Sequence, residues 1–389
     1  MNTKKLGGNH IKIENRKLVF NHIFNRPGIS RPEIVTLTQL SSASVGRITD
    51  ELLEEGLIKE YDTNARNVGR RPTLLCVCGD DIPAVVIELD RDKQVCAVVD
   101  LTGKVRCRTE YDFCIPDHTP QEICLLVLSM VSEMKIRPEM LGKDFSGIGV
   151  VLPGLVDLDS GMVKLSSQFH WNDVDFGSML SDVFPDTVIA IDNEMNARAL
   201  AESLYGELRN EQNGVVLGIG SGVGAGVITN GRIYRGDNNM AGEVGHIIMD
   251  PNGKMCECGC YGCLQTFVAE WALIEDARRF MQDANISDIL ASADAGELWA
   301  VSIIDRFERY TKTAISYFKN LLNPGAVVLC GQLLEDHPVL AERLVSENSG
   351  SVRDSFTIPF KLKMSGLGRD GALIGAATQL LQKVYDEYI

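Results

Sequence analysis

The sequence predicts an α/β protein in two parts: an N-terminal winged helix-turn-helix head over residues 1–80 and a two-lobed body over residues 81–389. Three observations predict it. Charge divides unevenly: residues 1–75 hold 12 Lys and Arg against 8 Asp and Glu, whereas the rest holds 26 against 45. Helix caps and breakers follow one another closely in the basic part, while strands and helices alternate beyond residue 80. At 389 residues the chain also exceeds what one compact core organises.

Bulk composition narrows the function classes. With 45% hydrophobic and 23% charged residues, this is the make-up of an ordinary soluble protein. No run of about 18 apolar residues is present, so no membrane partner is expected. Met1 to His10 lacks an apolar signal core, which predicts retention in the cytoplasm. There, eleven cysteines read as reduced thiols and metal ligands. The net charge of −15 repels nucleic acid, so a basic first fifth points to a DNA-reading head on an acidic body.

In the head, Leu18, Val19, Ile23 and Phe24 give a first helix its apolar side, and Pro27-Gly28 breaks it. Ser30 stands as an N-cap with Glu33 three residues on and Pro32 in the first turn, so a second helix runs to about Leu37. Ser41 caps a third helix, in which Val45, Ile48, Leu52 and Leu53 face inward. Its outward N-terminal side offers Ser42, Ala43, Ser44, Gly46 and Arg47, small enough to sit deep in a major groove, and Gly56 ends it. A two-stranded wing follows, with Arg70 and Arg71 at its tip between Gly69 and Pro72, suited to a narrow minor groove. A reader of this type commonly acts as a symmetric pair on a palindrome, so a homodimer on double-stranded operator DNA is expected.

In the body, 84–89, 94–100 and 105–111 read as a β-meander, followed by a helix over 120–134 and a buried strand over 147–152. Further strands are expected at 188–192, 215–218 and 326–330, with a helix from about Asn196 to Leu208. The alternate glycines from Gly218 to Gly226 suit either a phosphate turn or a tight hairpin. Cys256, Cys258 and Cys263 are spaced C-x-C-x4-C, with His246 ten residues upstream, the Cys3His set preferred by a structural Zn2+. Gly259 and Gly262 suit a tight knuckle, and Cys260 is a spare.

These motifs resemble the ROK family of bacterial repressors and sugar kinases, and the resemblance covers nearly the whole chain. It implies an actin-like, sugar-kinase-like body with lobe one over about 81–192 plus the C-terminal helix 370–389, and lobe two over about 193–369. Family kinases carry a phosphate turn, Asp-x-Gly-Gly-Thr, whose positions fall here on Glu88, Asp90, Arg91 and Asp92. Both glycines are gone, and a turn bearing Asp and Arg cannot easily bring backbone N–H groups against phosphate. The kinases' Glu-Asn-Asp-x-Asn-Ala is here Asp192-Asn193-Glu194-Met195-Asn196-Ala197, which keeps the acid but lengthens it by a methylene.

The resemblance therefore implies a body that binds sugar without phosphorylating it, through Gly154, Asn193, Glu194, Glu243, His246 and Gln265. His246 would serve metal and sugar with one nitrogen each. Gln265 replaces a family Glu, and Ser167 a family Asn before Trp171. The expectation is a non-enzymatic, sugar-responsive repressor of carbohydrate genes, with Glu194 resembling the xylose-responsive branch. The competing readings are an active sugar kinase with an added head, and a body that serves as a platform for a protein partner.

Overall fold

The computed structural model describes residues 8–62, 73–77, 83–100, 102–140, 144–347 and 361–388. The head contains α1 (Gly8–Asn25), β1 (Ile29–Ser30), α2 (Arg31–Thr38), α3 (Ser42–Glu54), β2 (Ile58–Asp62) and β3 (Thr73–Val77). Helix α2 starts where the Glu33 carboxylate accepts from both the N–H (2.8 Å) and the hydroxyl (2.6 Å) of Ser30. It stops at Gln39, which turns left-handed at φ 57°. Helix α3 starts at Ser41, whose hydroxyl accepts the Ser44 N–H at 3.1 Å.

Val19, Phe20, Ile23 and Phe24 of α1 pack with Ile34, Val45, Ile48 and Leu52, while Leu53 is half-buried beside them. Leu18 does not join this core as the sequence suggested. At 3.6 residues per turn, 19, 20, 23 and 24 share one stripe and residue 18 falls beyond its edge, 37% exposed. The wing is likewise broader than two strands. Ile29 and Ser30 pair with Leu75 and Leu74, giving the order β1-β3-β2. The wing tip, with Arg70 and Arg71, lies outside the described residues.

The body repeats one sheet plan twice. Strands β4 (Ala84–Leu89), β5 (Lys93–Val99) and β6 (Val105–Asp112) form an antiparallel meander. After α4 (Pro120–Lys135) comes β7 (Ile148–Leu152), then a small sheet of β8 (Leu155–Val156), β9 (Val163–Ser166) and β10 (Trp171–Val174). Next are α5 (Phe176–Val183), β11 (Ile189–Asn193) and α6 (Glu194–Leu204). The first sheet has the order β11-β7-β4-β5-β6, with β7 and β11 parallel to β4. Alternation along β4 decides its neighbours. Val85, Ile87 and Leu89 pack toward Ile123, Val127 and Met130 of α4, while Ala84 and Val86 share a core with the C-terminal helix.

The second sheet repeats the plan. Strands β12 (Gly214–Ile219), β13 (Val223–Thr229) and β14 (Arg232–Ile233) form its meander. Helices α7 (Gln265–Val268), α8 (Glu270–Ala277), α9 (Ile286–Asp294) and α10 (Leu298–Leu322) lead to β15 (Ala326–Cys330). Then follow α11 (Gln332–Asp336), α12 (Pro338–Glu347), β16 (Lys361–Met364) and α13 (Gly371–Tyr388), and the sheet order is β14-β13-β12-β15-β16. Helix α13 packs on α6 and on the first sheet, and α6 packs on β12 and β13, so this helix pair joins the lobes.

One expectation changes here, and one open alternative narrows. Helix α6 spans 194–204 and not 196–208, because Asn193 accepts the N–H groups of Met195 (2.8 Å) and Asn196 (3.2 Å) and so caps the helix at its own position. The glycine run is a hairpin with a packing role. A Cβ on Gly226 would lie 2.2 Å from the Met195 carbonyl oxygen and 2.4 Å from the Ala199 Cβ, so α6 can lie on β13 only over glycine there. Among the described residues, no helix is long and apolar enough to cross a membrane.

Candidate functional site

Between the lobes lies a cleft of about 400 Å³, within the range of small-molecule sites. Gly154, Asn193, Glu194, Glu243, His246 and Gln265 all line it. They arrive from the end of β7, the β11–α6 junction, the segment after β14 and the start of α7, so chain topology converges what the sequence separates by over a hundred residues.

Glu194, the first residue of α6, is the most unusual group. Its Oε2 is buried and has no hydrogen-bond partner. Burial holds its carboxyl well above the usual carboxylate range, and the charges of Asp90, Glu243 and Glu88 add to this. Folding therefore traps a proton that the unfolded chain releases, and stability contributed by this group is lost as pH rises from the ordinary carboxylate range toward the folded value. Glu194→Gln is expected to remove that component. Thermal unfolding from pH 5 to 8 should show the variant gaining on the parent with rising pH, and a pH-independent gap would refute it.

The neighbouring groups have defined partners. Asn193 spends its amide oxygen on the helix cap, and its Nδ2 donates to the Gly154 carbonyl at 3.0 Å, so it fixes the shape of the cleft wall. Burial also raises the Glu243 carboxyl. His246 has its Nε2 4.0 Å from Glu243 and its Nδ1 3.7 Å from Cys256 Sγ. Gln265 is buried and donates from Nε2 to Cys256 Sγ at 3.1 Å, which ties it to the thiol cluster as well as to the cleft.

His246, Cys256, Cys258 and Cys263 bring their ligand atoms within 4.8 Å of one another, with Cys258 Sγ and Cys263 Sγ 3.6 Å apart. A tetrahedral ion with bonds of about 2.3 Å to sulfur and 2.0–2.1 Å to nitrogen separates its ligands by roughly 3.5–3.8 Å. The donor set thus fits a four-coordinate cation. Cys260 is exposed and stands outside the set.

Arg198 and Ser221 line the cleft without having been foreseen, and Arg235 braces the β11 end behind it. Arg198 on α6 is bound by Glu88 (3.2 Å), Glu335 (3.3 Å) and the Gly368 carbonyl (3.2 Å). Arg235 grips Asp192 through both nitrogens (2.8 and 2.6 Å) and reaches Asn239, which donates to the Val156 carbonyl. Ser221, on the β12–β13 hairpin, donates to Asp90 at 3.2 Å. Arg198 carried a signal: it lies one helical turn from Glu194 among alanines and leucines, where a charge must find a partner.

On the head, Ser42 and Ala43 are exposed, as is the Arg47 side chain, which makes only a loose 4.0 Å approach to Glu51. Ser44 is half-buried and shares a 2.9 Å hydroxyl contact with Ser41. Arg31, by contrast, is committed to Thr49, Asp50 and Glu60. A Cβ on Gly46 would meet nothing within 4 Å, so nothing within the described chain requires glycine there. Gly46→Ala is expected to stabilise the head by about 0.5–1 kcal/mol.

The sequence model of the ROK family matches residues 84–383. The chain is 26% identical over 376 residues to the xylose repressor of Bacillus spizizenii, covering 97% of each. It is 30% identical over 346 residues to the transcriptional dual regulator NagC of Escherichia coli, covering 86% of this chain and 84% of NagC. Among solved structures, a ROK family transcriptional regulator described as a homologue of the E. coli MLC protein superposes with a TM-score of 0.77 at 27% identity, covering 97% of both chains. A ROK family glucokinase from Streptomyces griseus shares the fold (TM-score 0.68, 20% identity) over 77% of this chain and 99% of its own.

Proposed function

This chain belongs to the ROK family, and from that premise we propose that it is a sugar-responsive transcriptional repressor working in the cytoplasm. In this reading the head, residues 1–80, holds operator DNA, and a sugar entering the cleft of the body releases it. One observation carries it: a winged head is joined in the same chain to a cleft whose buried Glu194 oxygen has no partner. A buried acceptor left unsatisfied costs about 1–3 kcal/mol, which a sugar hydroxyl would recover. Glu243 and the Nε2 of His246, which line the same cleft, are read as further hydroxyl partners, with Asn193 and Gly154 shaping the wall. The effector changes DNA affinity only by binding two arrangements of the lobes unequally.

The Cys3His set is read as a structural zinc site that braces the loop presenting His246. The ion would supply fixed coordination there, while the chain's own residues bind the effector. The chain is read as a homodimer, because a helix-turn-helix reader pairs with the two halves of a palindrome. It is read as inactive in phosphoryl transfer, since Asp90 and Arg91 stand where family kinases place two glycines.

Ser42, Ala43, Ser44 and Arg47 are assigned to the major groove, and Arg70 and Arg71 to the minor groove. The purified chain should retain a few genomic fragments sharing a palindrome and release them on addition of a sugar; no enrichment over bulk DNA would remove the repressor reading. Arg71→Ala should weaken operator binding without altering sugar affinity, and unchanged operator affinity would remove the wing. Gly46→Ala should lower operator affinity about tenfold, a loss of about 1.4 kcal/mol, despite its stabler head.

A further inference from the structure

The β4–β5 turn bears on which sugars the cleft accepts. A phosphate in such a turn needs free backbone N–H groups. Here the Asp90 N–H donates to Gln94 Oε1 at 3.0 Å, and the Arg91 N–H donates to Asp90 Oδ1 at 2.7 Å. Gln94 is itself fully buried, and its Nε2 donates to the carbonyls of Asp90 and Phe113, so it is locked in this role. Across the cleft, the N–H of Gly331, at the turn after β15, donates to Glu335 Oε1 at 3.2 Å. The chain's own side chains thus occupy anion-binding donors on both walls.

Four arginines at or beside the cleft are engaged as well. Arg198 lies between Glu88 and Glu335, with all three side chains 15% exposed or less. Arg108 is held by Glu110 and Asp370, and Arg369 by Asp336. Arg91 reaches Glu257 of the metal knuckle at 3.6 Å. Lys93 stands exposed at the rim. A phosphate on a hydroxyl bound near Glu194 would meet the half-buried carboxyls of Glu88 and Asp90 beside these engaged donors.

We propose that the cleft selects an uncharged sugar and refuses its phosphate ester and nucleotides, with the turn from Glu88 to Asp92 acting as the anion-excluding wall. This rests on the sugar-sensing reading above and specifies its ligand class. Like charges brought together in a binding site cost several kcal/mol, so the neutral sugar should bind at least about a hundredfold more tightly than its ester.

The test is calorimetric titration of the full-length protein with D-xylose, D-glucose and N-acetyl-D-glucosamine, each beside its phosphate ester, and with MgATP. Binding of a neutral sugar, a hundredfold preference over its ester and no heat from MgATP is the expected result. Asp90→Asn should then narrow the neutral-to-ester ratio about tenfold or more. An ester bound as tightly as its parent sugar, or MgATP binding, would overturn the proposal while leaving sugar sensing intact. Binding of none of these ligands would instead remove the sugar-sensing reading, and this inference with it.

Discussion

Cys258→Ser should lose bound metal and sugar response together. The four ligand atoms of His246, Cys256, Cys258 and Cys263 sit within 4.8 Å of one another, and serine is a poor substitute for a thiolate toward a borderline-soft ion. Structural zinc contributes on the order of 10 kcal/mol to small metal-dependent folds. Here its loss should free the loop that carries His246 and, three residues away, Glu243. The parent should hold one metal per chain after gel filtration and the variant close to none, with its sugar-induced thermal shift abolished. Cys260→Ser is the matched control, since Cys260 is exposed and outside the set, and it should retain both properties. A Cys258→Ser protein with full metal content and a normal sugar response would sink the assignment.

The second large effect is expected at Arg198. Its guanidinium joins Glu88 on the first sheet to Glu335 on α11 and to the Gly368 carbonyl, all at 3.2–3.3 Å. Burial works against its charge, but Glu88 and Glu335 more than offset this and hold its pKa above the usual arginine value. Truncation leaves two largely buried carboxyls, 15% and 9% exposed, without their cation, and breaking such a buried network typically costs about 3–5 kcal/mol. Arg198→Ala should therefore unfold at clearly lower denaturant than the parent. Glu88→Gln and Glu335→Gln introduced alongside it should recover part of the loss, because the carboxyls then no longer need a partner. A loss below about 1 kcal/mol would show that the three groups do not act as a unit.

Legibility followed the sequence distance over which each feature is encoded. Ser30 with Glu33 and Ser41 with Ser44 are contacts within a single helical turn, and both caps were readable as written. The strand meander over 84–111 was readable because apolar alternation and turn residues lie side by side in the chain. Leu18 was misjudged because an apolar residue at the edge of a helical stripe looks the same in sequence as one within it. The glycine run at 218–226 stayed ambiguous because its cause, the backbone of α6, lies some twenty residues upstream.

The site divides in the same way. All four residues of the candidate metal set fall within residues 246–263, so spacing and residue chemistry alone gathered them. The family motifs marked Asn193, Glu194 and Glu243, but they did not reveal that Asn193 caps a helix or that one carboxylate oxygen of Glu194 is buried without a partner. By itself, the sequence determined the helix order of the head, the strand meander over 84–111 and the Cys3His cluster, because these depend on neighbours in the chain. Only the tertiary structure decided what closes the cleft. Glu88 and Arg198 are 110 residues apart and Arg198 and Glu335 another 137, so their meeting depends on two sheets docking around α6 and α13. A charge in the sequence shows that a partner is needed, and only the packing of the whole chain selects which one it finds.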